Sequence, residues 1–247
     1  MQGFQLEIFP EGSAFIQRAI QIWQQLAATA IQERGRFMVA LAGGSTPKKL
    51  YAALAETDGI PWQNIWLIWG DERYVPPDHP DSNYRMVRQA LLERVGIPAE
   101  QVLPMPTQAG DPAQDASQYE AQLKQVFRQE SSGDWPQLDL VLLGIGEDGH
   151  TASLFPGTEA LQVQDRWVTV GQKDGEPRLT LTYPVLNQAT QVVFLVTGAN
   201  KAPILKEVLT TEAHLPCQGV NPRGRLLWLL DAAAAAQLPL QMALRKA

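Results

Sequence analysis

Five short runs in this chain are almost wholly apolar: Phe37–Ala42, Ile65–Trp69, Leu138–Ile145, Gln191–Val196 and Leu226–Leu230. A strand without polar alternation has to be covered on both faces, which is the environment of a parallel sheet sandwiched between helices. Helix-compatible segments separate or follow these runs. In residues 11–34, Phe15, Ala19, Ile22, Trp23, Leu26 and Ala30 recur at helical spacing. Further helices are expected at 48–55, 84–95, 117–130, 200–210 and 231–237, the last continuing through the alanine run from an Asp231 N-cap. Leu6–Phe9, Trp167–Val170 and Arg178–Thr182 complete the strands. The alternation predicts an α/β, three-layer αβα fold over residues 1–247 as one domain. Its core is a doubly wound, mostly parallel sheet with helices on both faces.

In such sheets ligands bind beyond the carboxyl ends of the strands, so the turns there matter most. Gly43, Gly44, Ser45, Thr46 and Pro47 follow the first apolar run. Two glycines admit close backbone approach, and a helix start offers N–H groups and partial positive charge to an anion. The spacing is neither that of a Walker loop nor that of a dinucleotide fingerprint. An ordinary capped turn would look the same.

Asp71, Glu72 and Arg73 follow the Ile65–Trp69 run, inside a long polar loop over residues 70–83. They form either a structural charge network or a site in which Arg73 polarises a carbonyl and a carboxylate orients hydroxyls. Ser82 reads as the cap of the next helix, with Asn83 and Arg85 candidates for the same pocket. Beyond Leu143, Gly144–Gly149 places Glu147 and Asp148 just before His150, whose imidazole can move protons near neutral pH. The segment after His150 is expected to be helical, with Ser153 inside it and therefore no nucleophile elbow. Arg178 opens a strand and Lys201 starts a helix. A cation at a helix start is unfavourable unless an anion is bound there.

Net charge is −6, without runs of one sign, which disfavours non-specific nucleic-acid binding. No run reaches the roughly 18 apolar residues of a membrane span, and no secretory signal is visible at the N-terminus. The single Cys217 fits a reducing compartment. A soluble, cytoplasmic protein is expected, with no membrane partner and a monomer favoured. His214 and Cys217 do not make a metal site, and Glu147, Asp148 and His150 lie too close in sequence to converge readily on one ion. No metal is expected.

These motifs together resemble the 6-phosphogluconolactonase family. The matching pieces are Leu41–Pro47, Gly70–Pro76 with Asp81–Tyr84, Gly144–Gly157, Arg178–Thr182, Gly198–Lys201, Leu215–Pro216 and Trp228–Asp231. Glucosamine-6-phosphate deaminase is similar around the first glycine turn and the histidine. It continues differently after the histidine, where this chain has Thr151 to Pro156. The resemblance implies hydrolysis of a small phosphorylated sugar lactone without a cofactor, in the oxidative pentose phosphate pathway. It places Gly43, Gly44, Ser45, Thr46, Arg178 and Lys201 around the phosphate, and Asp71, Arg73 and His150 around the lactone. The expected mechanism has His150 as general base, with its tautomer held by Asp148 unless that carboxylate has only a turn role. Arg73 and N–H groups near Gly146 would meet the oxyanion. An amino-sugar-phosphate isomerase-deaminase and a non-catalytic sugar-phosphate sensor are the competing readings.

Overall fold

The computed structural model describes residues 3–10, 12–127 and 135–243. Seven strands form one sheet: β1 (Phe4–Phe9), β2 (Phe37–Leu41), β3 (Ile65–Trp69), β5 (Val102–Leu103), β6 (Leu140–Leu143), β9 (Gln191–Val196) and β10 (Arg225–Asp231). Their spatial order is β1-β10-β9-β6-β2-β3-β5, and every pairing in it is parallel. The five apolar runs supply its central strands, and β2, β6 and β9 are buried at every position. Phe194 and Trp228, in register on neighbouring strands, stack at 4.0 Å.

Helices α1 (Gly12–Arg34), α2 (Ser45–Ala55), α3 (Asn83–Ala90), α4 (Pro112–Phe127), α5 (Tyr183–Leu186) and α6 (Ala202–Thr210) connect or flank the strands. From β2 the chain proceeds outward to β3 and β5. It then returns to β6, on the other side of β2, and runs outward to β9 and β10. This reversal gives a doubly wound sheet, because right-handed crossovers in opposite directions send their helices to opposite faces. The switch point lies between β2 and β6, the strands that end in the glycine turn and in the His150 turn.

Several elements differ from expectation. Trp167–Val170 and Arg178–Thr182 do not join the parallel sheet. They correspond to β7 (Val168–Lys173) and β8 (Glu176–Leu181), an antiparallel hairpin extended by β4 (Asp71–Arg73), so part of the expected 70–83 loop is a strand. The hairpin turn, Asp174 and Gly175, has positive φ at both positions, 53° and 85°, as a two-residue type I′ connection requires. So short a link can only join antiparallel neighbours.

Helix α4 begins at Pro112, ahead of residue 117, because Asp111 Oδ1 accepts the Ala113 N–H at 2.9 Å and proline suits a first helical turn. The part of the expected helix at 128–130 lies outside the described residues. Helix α3 stops at Ala90, before Gly96 and Pro98, and Leu92–Arg94 forms one 3-10 turn. Residues 232–237 form hydrogen-bonded turns rather than a helix, although Asp231 Oδ1 does cap Ala234 N–H at 2.7 Å; Pro239 follows, and the residue before a proline disfavours helical backbone. The stretch after His150 is a tight turn with a bridge between Thr151 and Leu154, so Ser153 is not helical. No helix among the described residues is long and apolar enough to cross a membrane.

Candidate functional site

A cleft of about 270 Å³ opens at the switch point. It is lined by Gly43 and Gly44 after β2, Asp71 and Arg73 on β4, Asn83 on α3, Gly146 and His150 after β6, Arg178 on β8 and Lys201 before α6. Nine of the thirteen expected site residues therefore meet in one cavity. Ser45, Thr46, Arg85 and Asp148 do not line it. The Thr46 hydroxyl is hydrogen-bonded to that of Thr197 at 2.7 Å, and Arg85 contributes a backbone N–H to its helix cap, Ser82 Oγ.

The His150 turn is built around a carboxylate. Asp148 Oδ1 lies 2.5 Å from Nδ1 of the imidazole and accepts the His150 backbone N–H at 3.1 Å. Partial burial opposes the charge on Asp148, but these two bonds outweigh it and hold its carboxyl below the usual carboxylate range. An ionised carboxylate only accepts, so Nδ1 carries the proton and Nε2 keeps a lone pair. For His150, burial lowers the pKa below its ordinary value despite the opposing pull of Asp148 and Asp71. The ring is therefore neutral at pH 7, with Nε2 as its basic atom. Phe155 packs against it at 4.3 Å between centroids.

Gly146 has a steric role. A Cβ there would collide with Nδ1 and Cε1 of the ring and with Asp148 Oδ1. Its own N–H is committed to the His150 carbonyl at 2.8 Å, so it is not a donor for an oxyanion. Glu147 accepts from Asn200 Nδ2 at 2.8 Å. Among the described residues no group of three or more His, Cys, Asp or Glu is placed to hold a metal ion.

The cleft lining also carries cations. Arg73 Nη1 donates to the Asp81 carbonyl at 2.6 Å, while the buried Nε atoms of Arg73 and Arg178 have no acceptor. Burial lowers the Arg178 pKa, and the neighbouring Arg73 charge adds to the effect. Arg73 and Arg178 are register partners that both line the cleft, and two guanidiniums held side by side suit an anionic oxygen. At the glycine turn, Gly44 has φ 102° and ψ 171°, a conformation essentially reserved for glycine. It precedes α2 without offering a capping side chain, which leaves first-turn N–H groups for an external acceptor. Gly43 lacks a side chain for another reason: Asn83 occupies that space.

Glu72 was open to a substrate-orienting role in the sequence, yet it does not line the cleft. Buried at 2 % exposure, it accepts the N–H groups of Arg73 (2.8 Å), Asn83 and Tyr84 (both 2.7 Å) and the Ser82 hydroxyl (3.2 Å). Its carboxylate thus fastens the start of α3 to β4 and sets Asn83 against the cleft. Asn83 Nδ2 in turn donates to the Asp71 carbonyl at 2.9 Å. Ser153 was likewise unforeseen at the site: it is fully buried and donates to Asp71 Oδ2 at 2.6 Å.

Residues 10–228 match the profile of the family described as glucosamine-6-phosphate isomerases/6-phosphogluconolactonase. The chain belongs to this family. Within it, the chain is 52% identical to a 6-phosphogluconolactonase of Nostoc sp. over 94% of its own length and 98% of the relative's. It is 41% identical to that of Rattus norvegicus, covering 88% and 87% respectively. The crystal structure of 6-phosphogluconolactonase from Thermotoga maritima superposes with a TM-score of 0.81 at 30% identity, covering 92% of this chain and 99% of that one. A monomeric glucosamine-6-phosphate deaminase shares the fold, with a TM-score of 0.78 at 21% identity over 95% of this chain and 100% of that one.

Proposed function

We propose that this chain hydrolyses 6-phospho-D-glucono-1,5-lactone to 6-phosphogluconate, as a carboxylic ester hydrolase of the oxidative pentose phosphate pathway. One observation carries the reading: a neutral imidazole, fixed by an ionised aspartate, shares a single cleft with Arg73, Arg178 and Lys201. The named relatives support the same substrate.

A δ-lactone is an activated ester, so a water molecule with a base suffices. His150 Nε2 takes a proton from the water as its oxygen adds to C1. The carbonyl π electrons move to oxygen, where the Arg73 guanidinium meets the developing charge, an effect worth about 3 kcal/mol per donor. Collapse of the adduct expels the ring oxygen, which receives the proton from His150. Asp148 holds the tautomer and stabilises the transient imidazolium. Asp71 accepts from sugar hydroxyls.

Arg178, Lys201 and the Gly44 turn hold the 6-phosphate, so that its binding energy is converted into placement of C1 over His150. The reading includes a cytoplasmic, monomeric enzyme that works on a free phosphorylated sugar lactone, without nucleic acid or membrane.

The test is proton release on adding freshly prepared 6-phosphoglucono-δ-lactone, corrected for spontaneous hydrolysis. Release should be fast with the intact chain, and His150→Ala should lower kcat by about 100-fold or more at similar KM. Ammonia release from glucosamine 6-phosphate, or product binding without turnover, would overturn the assignment.

A further inference from the structure

The cleft is assembled from two separately hydrogen-bonded sheets. Gly146 and His150 follow β6 of the parallel sheet, whereas Asp71, Arg73 and Arg178 lie on the antiparallel sheet. Three residues beyond His150 the chain reaches Ser153, which contacts all three strands of the smaller sheet. Its Oγ donates to Asp71 Oδ2 on β4 at 2.6 Å, and its N–H donates to Thr180 Oγ1 on β8 at 3.2 Å. Gly171 on β7 lies so near the Ser153 carbonyl that a Cβ there would collide with it. Asp71 and Thr180 are themselves register partners. The intervening Ala152 is held at φ 47°, in the left-handed region, where a non-glycine residue persists only if its surroundings enforce it.

The geometry points to Ser153 as a positioning residue that acts through Asp71. Its hydroxyl engages one carboxylate oxygen and leaves the other for the cleft, which Asp71 lines. A carboxylate with one oxygen fixed presents an oriented acceptor, the geometry needed to read the hydroxyls of a polyol ring. Ser153 is fully buried and does not line the cleft, so it contacts no substrate and is not a nucleophile. This inference rests on the lactonase reading for the identity of the ring.

The experiment is a double-mutant cycle on kcat/KM for 6-phosphoglucono-δ-lactone, using the intact chain, Ser153→Ala, Asp71→Ala and the double variant, with thermal midpoints recorded alongside. Losing a hydrogen bond to a charged group corresponds to about tenfold or more, so Ser153→Ala should lower kcat/KM by that factor. The same substitution in the Asp71→Ala background should cost less than about twofold. Equal losses in both backgrounds would overturn the proposal, because a merely structural serine acts whether or not the aspartate is present. Ser153→Cys keeps the size with a weaker donor; it should fall between the intact chain and Ser153→Ala, and full activity in it would also overturn the proposal. If Ser153→Ala does not fold, Ser153→Cys takes its place in the cycle. If the intact chain hydrolyses no lactone, the functional reading fails separately, and the cycle measured on calorimetric binding of 6-phosphogluconate still decides the role of Ser153.

Discussion

Asp148 Oδ1 lies 2.5 Å from Nδ1 of His150 and also accepts that residue's backbone N–H at 3.1 Å. The carboxylate thus fixes both the ring and the peptide that carries it. Because burial holds the His150 pKa of the ligand-free chain below its ordinary 6.5, the acid limb of kcat/KM should have its midpoint below pH 6.5. Asp148→Asn removes a charge that pulls the value up, so the limb should move to still lower pH while kcat falls for want of a fixed tautomer. The stability consequence has a definite sign. Between the folded pKa and 6.5 the unfolded chain binds more protons, so this contribution is present above pH 6.5 and is lost as pH falls through the folded value. A pH series of kcat/KM with urea midpoints checks both effects.

Gly146→Ala should inactivate the chain without unfolding it. The added methyl would displace the imidazole and the Asp148 carboxylate from their mutual bond. A fall in kcat of about 100-fold is expected from misplaced acid–base geometry. Retained far-ultraviolet circular dichroism together with lost turnover would confirm this; unchanged turnover would remove the steric argument.

The cations should report on affinity. Lys201→Ala and Arg178→Ala should each raise KM for the phosphorylated lactone about tenfold or more, with kcat changed much less, because they contact a part of the substrate that does not react. Activity on unphosphorylated gluconolactone should be low in the intact chain and insensitive to Lys201→Ala. Steady-state kinetics on the two lactones tests this directly.

Glu72→Gln should be destabilising. The carboxylate accepts from three backbone N–H groups and one hydroxyl, and an amide would turn an NH₂ group toward one set of those donors. A loss of about 2–4 kcal/mol is expected from a buried, unsatisfied network, read as a lowered urea midpoint. KM should rise with it, since Asn83 depends on that anchor.

The parallel sheet was legible because β2, β3, β6, β9 and β10 are covered on both faces and so announce themselves as apolar runs. The antiparallel sheet was harder to see. Val168–Lys173 is buried only at Val168 and Gly171 and ends in two exposed polar residues, and Asp71–Arg73 carries three charges and no apolar signature at all. One signal for it does lie in the sequence, the Asp174-Gly175 pair, whose turn chemistry excludes a parallel crossover. Gly43, Gly44, His150 and Lys201 could be placed because each follows a recognisable strand. The roles of Glu72 and Ser153 could not, since their partners lie 10 and 82 positions away and only the folded chain brings them together.

The division of the cleft between two sheets bears on how such a chain diversifies. Ser153 ties the proton-handling turn to the hairpin that carries Arg178, so substitutions near Asp174 and Gly175 that shift the hairpin also pull on that turn. A lineage that edits this ribbon therefore has to keep the joint at Ser153 intact.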